Sequence, residues 1–130
     1  MSGEDRQKLQ DCHEQARSFA ATEDHDGYYD ANVCFHECIY HGSRNTFLAD
    51  QTRQLRNRLA PYRRLQLRQR QRLAESFREH GEILDAILTG DEARAKQLLS
   101  EHVTVQSGSF TDFIATLPTD LATDLIRSRA

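Results

Sequence analysis

Residues 73–105, LAESFREHGEILDAILTGDEARAKQLLSEHVTV, read as two antiparallel helices that each carry one histidine on the apolar face. Leu73, Phe77, His80, Leu84 and Ile87 recur at intervals of four, three, four and three, and Ala95, Leu98, His102 and Val105 at three, four and three. Both imidazoles therefore occupy positions where a core side chain is expected. Gly90 and Asp91 separate the two patterns. Glycine accepts the positive φ that stops a helix, the aspartate beside it caps the next one, and so short a link forces antiparallel packing. His80 lies ten residues before Gly90 and His102 eleven after Asp91. At ~1.5 Å of rise per residue, the two histidines stand at nearly the same height on facing helices. Two imidazoles at one level of a helical core suggest a shared partner, and a metal ion is the obvious one.

The whole chain, 130 residues, is the size of one domain with one core, able to bury about two thirds of its extended surface. Leu, Ala, Gln, Glu and Arg abound, β-branched runs are few and there are two prolines, so the fold class is all-α, an antiparallel bundle of about six helices. The first ten residues, MSGEDRQKLQ, are too polar for a secretory signal, and no apolar run nears the ~20 residues that span a bilayer. A cytoplasmic protein without membrane contact is expected. Cys12, Cys34 and Cys38 form no CxxC pair and leave an odd count, which reads as reduced thiols acting as small apolar residues.

A net charge of −3 hides an asymmetry: residues 51–74 hold eight arginines and no acid, so the rest of the chain carries −11. Such a run is a solvated face or a docking surface more often than a phosphate-binding helix, and no base-reading motif or aromatic interleaving accompanies it.

In chain order, residues 4–21 form a helix with Leu9, Cys12, Ala16 and Phe19 on one stripe, which leaves His13 off the stripe and His25 in a polar linker, both solvent-facing. A second helix starts near Asp26 or Gly27 and ends at residues 41–43, its inward stripe being Tyr29, Asn32, His36 and Ile39 with Phe35 alongside. Asn32 and His36 are thus one turn apart, the spacing at which two side chains grip one ion. Asn45 caps a third helix, residues 46–67, with Leu48, Leu55, Leu59 and Tyr62 facing in and Pro61 as a possible kink; residues 69–72 lead to the hairpin. After Val105, Gln-Ser-Gly-Ser precedes two short amphipathic segments, 110–117 and 119–127, separated by Pro118.

A single histidine on an apolar stripe is ordinarily satisfied by a carbonyl or carboxylate. Three histidines and an asparagine on inward stripes, two of them level and two one turn apart, have no use in apolar packing. Three imidazoles and an amide oxygen suit Zn, Ni, Fe, Co or Mn and leave positions for water or an oxygen ligand.

NVCFH (32–36), the G-x-x-N of Gly42 and Asn45, SFREHGEILDAI (76–87), Gly90-Asp91 and EHV (101–103) resemble the FCD domain. This is the effector-binding part of the FadR subfamily of GntR-type bacterial transcription regulators. The similarity runs from about Leu9 to Leu117. It implies an antiparallel helical bundle around a pocket where a divalent metal, held by Asn32, His36, His80 and His102, orients a small organic acid. The family has Asp in the place of Asn32, which keeps an oxygen donor and removes a charge. The family's first effector-domain helix and its winged helix-turn-helix have no counterpart here, which implies a truncated chain or a stand-alone sensor.

The reading is a metal-binding effector sensor, not an enzyme. In a full-length homodimer, a small carboxylate would shift domain arrangement and operator affinity, DNA being touched only through the winged helix-turn-helix. Ser76, one turn before His80, with Arg72 and Arg64, is expected to hold the far end of the effector. Two other readings compete: a small metalloenzyme that activates water, and a structural bundle with packed histidines. Against the enzyme, no carboxylate is placed as a base; Glu79 and Glu101 precede the ligands and point ~100° away, as surface groups or supports for the ligands.

Overall fold

The chain builds its helices from short stop-and-cap loops. The computed structural model describes residues 1–116, in the order α1 (Gly3–Ala21), α2 (His25–Gly42), α3 (Thr46–Leu67), α4 (Arg72–Leu88) and α5 (Glu92–Thr116). Each loop contains one residue in the left-handed region, namely Glu23, Arg44, Gln71 and Gly90. At the hairpin turn the amide of Asp91 donates to the carbonyl of Ala86 and that of Gly90 to Ile87, closing α4, while Asp91 Oδ1 accepts from the Arg94 amide and opens α5. Asp24 caps α2 by accepting from Gly27, and Asn45 caps α3 by accepting from Leu48, as its position predicts. Ser2 and Asp5 form a reciprocal capping box on α1. Asp5 also pairs with Arg44 of the α2–α3 turn at 2.6 Å, tying those two ends together.

Loops this short make neighbours antiparallel, and the helices close into a ring in which α2 packs on α1 and α3, α4 on α1 and α5, and α5 on α3. One apolar cluster gathers Ala16, Tyr28, Tyr29, Ala31, Leu67 and Leu73; another gathers Leu9, Cys12, Phe35 and Ile83. The predicted stripes of α1, α2 and α4 face these clusters, although Ser76, Ile83 and Ala86 are the more deeply buried members on α4.

Several expectations are corrected. Among the described residues there are five helices, not about six, because α5 runs unbroken through residues 106–109 to Thr116. Glycine inside a helix costs ~1 kcal/mol, less than the several backbone hydrogen bonds a break would give up. The expected segment 119–127 lies outside the described residues. Pro61 sits within α3 without ending it. Leu48 and Leu55 are 55% and 59% exposed rather than buried, and α3 instead buries Ala49, Gln66 and Leu67. His13 is buried, with its ring stacked 4.3 Å from Phe77. Because α1 packs on both α2 and α4, its buried face is wider than one stripe. His25 is half-buried at the start of α2. The cysteines are not all free: Cys12 and Cys34, 22 residues apart, are joined as a disulfide, and Cys38 is the remaining thiol.

Candidate metal centre

Three helices deliver the four candidate ligands. Asn32 and His36 come from successive turns of α2, His80 from the middle of α4 and His102 from α5. The level placement predicted for the hairpin is realised, since His80 Nε2 lies 3.2 Å from His102 Nε2. One nitrogen from each of His36, His80 and His102 falls within 4.8 Å of the others. The His36 ring meets His80 edge-on at a centroid distance of 5.0 Å and lies roughly parallel to His102 at 5.5 Å. Phe35 stacks on His80 at 4.3 Å and holds that ring in place from behind.

Polar atoms at this point are short of partners. Asn32 Oδ1 and His36 Nε2 are both buried without a hydrogen bond among the described residues. His36 is only half-buried as a residue, but its Nε2 is the part turned away from solvent. Leaving such atoms unpaired costs ~1–3 kcal/mol each, which a bound cation would remove. Burial, then the nearby His102, holds the His36 pKa well below its ordinary value; burial, then His36 and His102, does the same to His80. Both are neutral imidazoles, the form that ligates metal.

Support from outside the cluster is equally specific. Glu79 Oε2 lies 2.5 Å from His102 Nδ1. Burial alone would raise the Glu79 pKa, but hydrogen bonds from His102 and Arg72 bring it down to about 2. An ionised carboxylate only accepts, so His102 Nδ1 donates to Glu79 and Nε2 is left as the nitrogen that faces His80. Arg72, itself buried, holds both oxygens of Glu79 at 3.0 and 3.1 Å. Glu79 is thus the supporting group that its place beside a ligand suggested, while Glu101 is exposed and bonds Gln97. The donor set of three imidazoles, one amide oxygen and a carboxylate behind an imidazole fits a divalent ion.

Beside this cluster opens a cavity of about 260 Å³ between α2, α3 and α5. Asn32, His36 and His102 line it, with Tyr40, Leu55, Leu59, Arg56 and Arg63 among the remaining walls. Ser76, Arg72 and Arg64 do not. Ser76 accepts a hydrogen bond from the Tyr28 hydroxyl at 2.8 Å, Arg72 is engaged with Glu79, and Arg64 lies 4.0 Å over the Tyr29 ring. Arg56 and Arg63 are the functional candidates that sequence reasoning missed. Arg56 Nη2 lies 2.6 Å from Glu37, but its buried Nη1 has no hydrogen-bond partner. Burial, and then Arg72, lowers the Arg63 pKa. A signal existed: Ala49, Arg53, Arg56, Ala60, Arg63 and Leu67 recur at four, three, four, three and four, a helical stripe whose arginines hid it.

No curated protein and no solved structure matches the chain. The model of the FCD domain family matches residues 1–105, which starts ahead of the motifs and ends just after the last histidine. With residues 1–105 of the 130 matched, the chain belongs to the FCD domain family.

Proposed function

We propose that this chain is the effector-sensing domain of a FadR-type GntR transcription regulator, in which a divalent ion such as Zn, Ni, Mn or Fe, held by Asn32, His36, His80 and His102, presents a small carboxylate to the protein. The observation that carries the reading is the pair of buried, partnerless atoms Asn32 Oδ1 and His36 Nε2 beside the His80–His102 contact. Four neutral donors leave the ion its full +2 charge in a largely apolar interior, which calls for an anion. Arg56 and Arg63 on the cavity wall favour the same charge, and we assign them the far end of the effector. Ser76 and Arg72 then act at one remove, through Tyr28 and Glu79, and Arg64 at the outer edge of Tyr29. Among the described residues no carboxylate lines the cavity, so it offers no acidic base for metal-activated water, which favours sensing over hydrolysis. In the full regulator, carboxylate binding would bias the homodimer in the cytoplasm and, through a separate winged helix-turn-helix, its grip on DNA.

Elemental analysis of the disulfide-bonded chain should find about one divalent ion per chain. A thermal-shift screen of mono- and dicarboxylates with and without metal then tests the charge argument. At 100 times Kd the expected stabilisation is ~2.7 kcal/mol, present only with metal and weakened by Asn32→Asp. Equal stabilisation in chelator, or tighter binding to Asn32→Asp, would overturn it. Turnover of simple esters would point to the metalloenzyme instead.

A further inference from the structure

On the other side of α2 lies a second donor cluster, made of sulfur. Cys34 and Cys38 flank His36 by two positions each, about 200° around the helix from it. There they meet Cys12 of α1, and the three sulfurs lie within 4.8 Å of one another. Cys12 Sγ and Cys38 Sγ are 3.7 Å apart. Two thiolates on one tetrahedral ion, each at ~2.3 Å, stand ~3.8 Å apart, so this edge already has the width a metal needs. Leu9, Phe35 and Ile39 pack around the cluster on the core side. Towards solvent, Cys38 borders a cavity of about 260 Å³ lined also by Asp5, Lys8, Glu37, His41 and Arg53, which gives an ion a polar entry path to the thiols.

We propose that the reduced chain binds a thiophilic d¹⁰ cation, Cu(I), Zn(II) or Cd(II), on Cys12, Cys34 and Cys38, and that the Cys12–Cys34 disulfide is the form in which this site is switched off. Soft thiolates select such ions, whereas the imidazole and amide donors of the histidine cluster also accept harder divalent ions such as Ni, Mn and Fe, so one helix carries two donor sets that overlap only at Zn. The exchange balances. A dithiol reductant gives two electrons and two protons to the Cys12–Cys34 bond and leaves as its own disulfide; the three thiols then release three protons as three sulfur–metal bonds form. A disulfide oxidant reverses both steps: it takes two electrons from Cys12 and Cys34 and, with two solvent protons, leaves as its dithiol, while Cys38 regains the third proton and the ion is expelled. The site is independent of the carboxylate reading, because its donors lie on the opposite face of α2.

Titration of the dithiol-reduced, desalted chain with Cd(II) tests it, read by the ultraviolet thiolate-to-metal charge-transfer band, which imidazole ligation does not produce. The band should saturate at one ion per chain, be largely lost in Cys34→Ser and in Cys38→Ser, and vanish when the wild-type chain is first oxidised. In Cys38→Ser the metal-dependent carboxylate stabilisation should persist, which separates the two sites. No band in the reduced, helical wild-type chain, or a band of full size in both serine variants, would overturn the proposal. The oxidation arm needs no variant, so it decides the matter even if a serine variant fails to fold.

Discussion

Helix α4 buries Ile83 and Ala86 completely, with Leu73 beside them, and its inward stripe is otherwise interrupted only by Ser76 and His80, with the buried Arg72 at its start. Helix α3 shows the reverse arrangement, with Arg53, Arg56 and Arg63 at helical spacing on the inward side while Phe47, Leu48, Leu55 and Leu65 are exposed. The difference follows from what each helix faces. α4 is packed between α1 and α5, whereas α3 lies against the acidic flank of α2 and walls an open cavity. Glu37 of α2 receives both Arg53 and Arg56, and Asp26 lies near Arg64 and Arg68. An arginine on an inward stripe is stable where a carboxylate or cavity meets it, and its aliphatic stem supplies the packing a leucine would.

The largest expected contrast is in stability. Ile83→Ala should cost ~2–5 kcal/mol by removing filled core volume. Leu55→Ala should stay within ~0.5 kcal/mol, because its side chain is already in solvent. Urea unfolding of both variants measures this, and equal costs would mean that α3 has a packed partner. Next in size is a change in metal affinity, with Glu79→Gln expected to weaken binding ~10–100-fold by loosening the His102 ring. Calorimetric titration with Zn(II) would reveal it, and Arg56→Ala should leave that affinity nearly intact while removing most of the carboxylate response. Arg64→Ala is the smallest case. Its pair with Asp26 is exposed and its stacking on Tyr29 is peripheral, so the thermal midpoint should move by no more than ~1 kcal/mol equivalent.

Local chemistry determined a good deal of this protein. Gly90, Asp91 and Asn45 mark their helix boundaries because positive φ and side-chain caps depend only on neighbouring residues. The hairpin turn fixes the register of α4 against α5, and that register alone brings His80 to His102. The i, i+4 step does the same for Asn32 and His36, so the candidate metal cluster was legible from spacing. Tertiary structure decided what depends on how helices meet. Cys12 reaches Cys34 and Cys38 only because α1 packs on α2, and no spacing rule encodes a contact across 22 residues. His13 is buried because α1 has two neighbours, and Arg72 is tied to the histidine cluster through Glu79. Arg56 and Arg63 face the cavity because α3 is rotated to bring its arginines to α2's carboxylates and leave Leu48 and Leu55 outside. That orientation is a property of the pair of helices, since Arg53 and Arg56 meet Glu37 while Arg64 and Arg68 lie near Asp26.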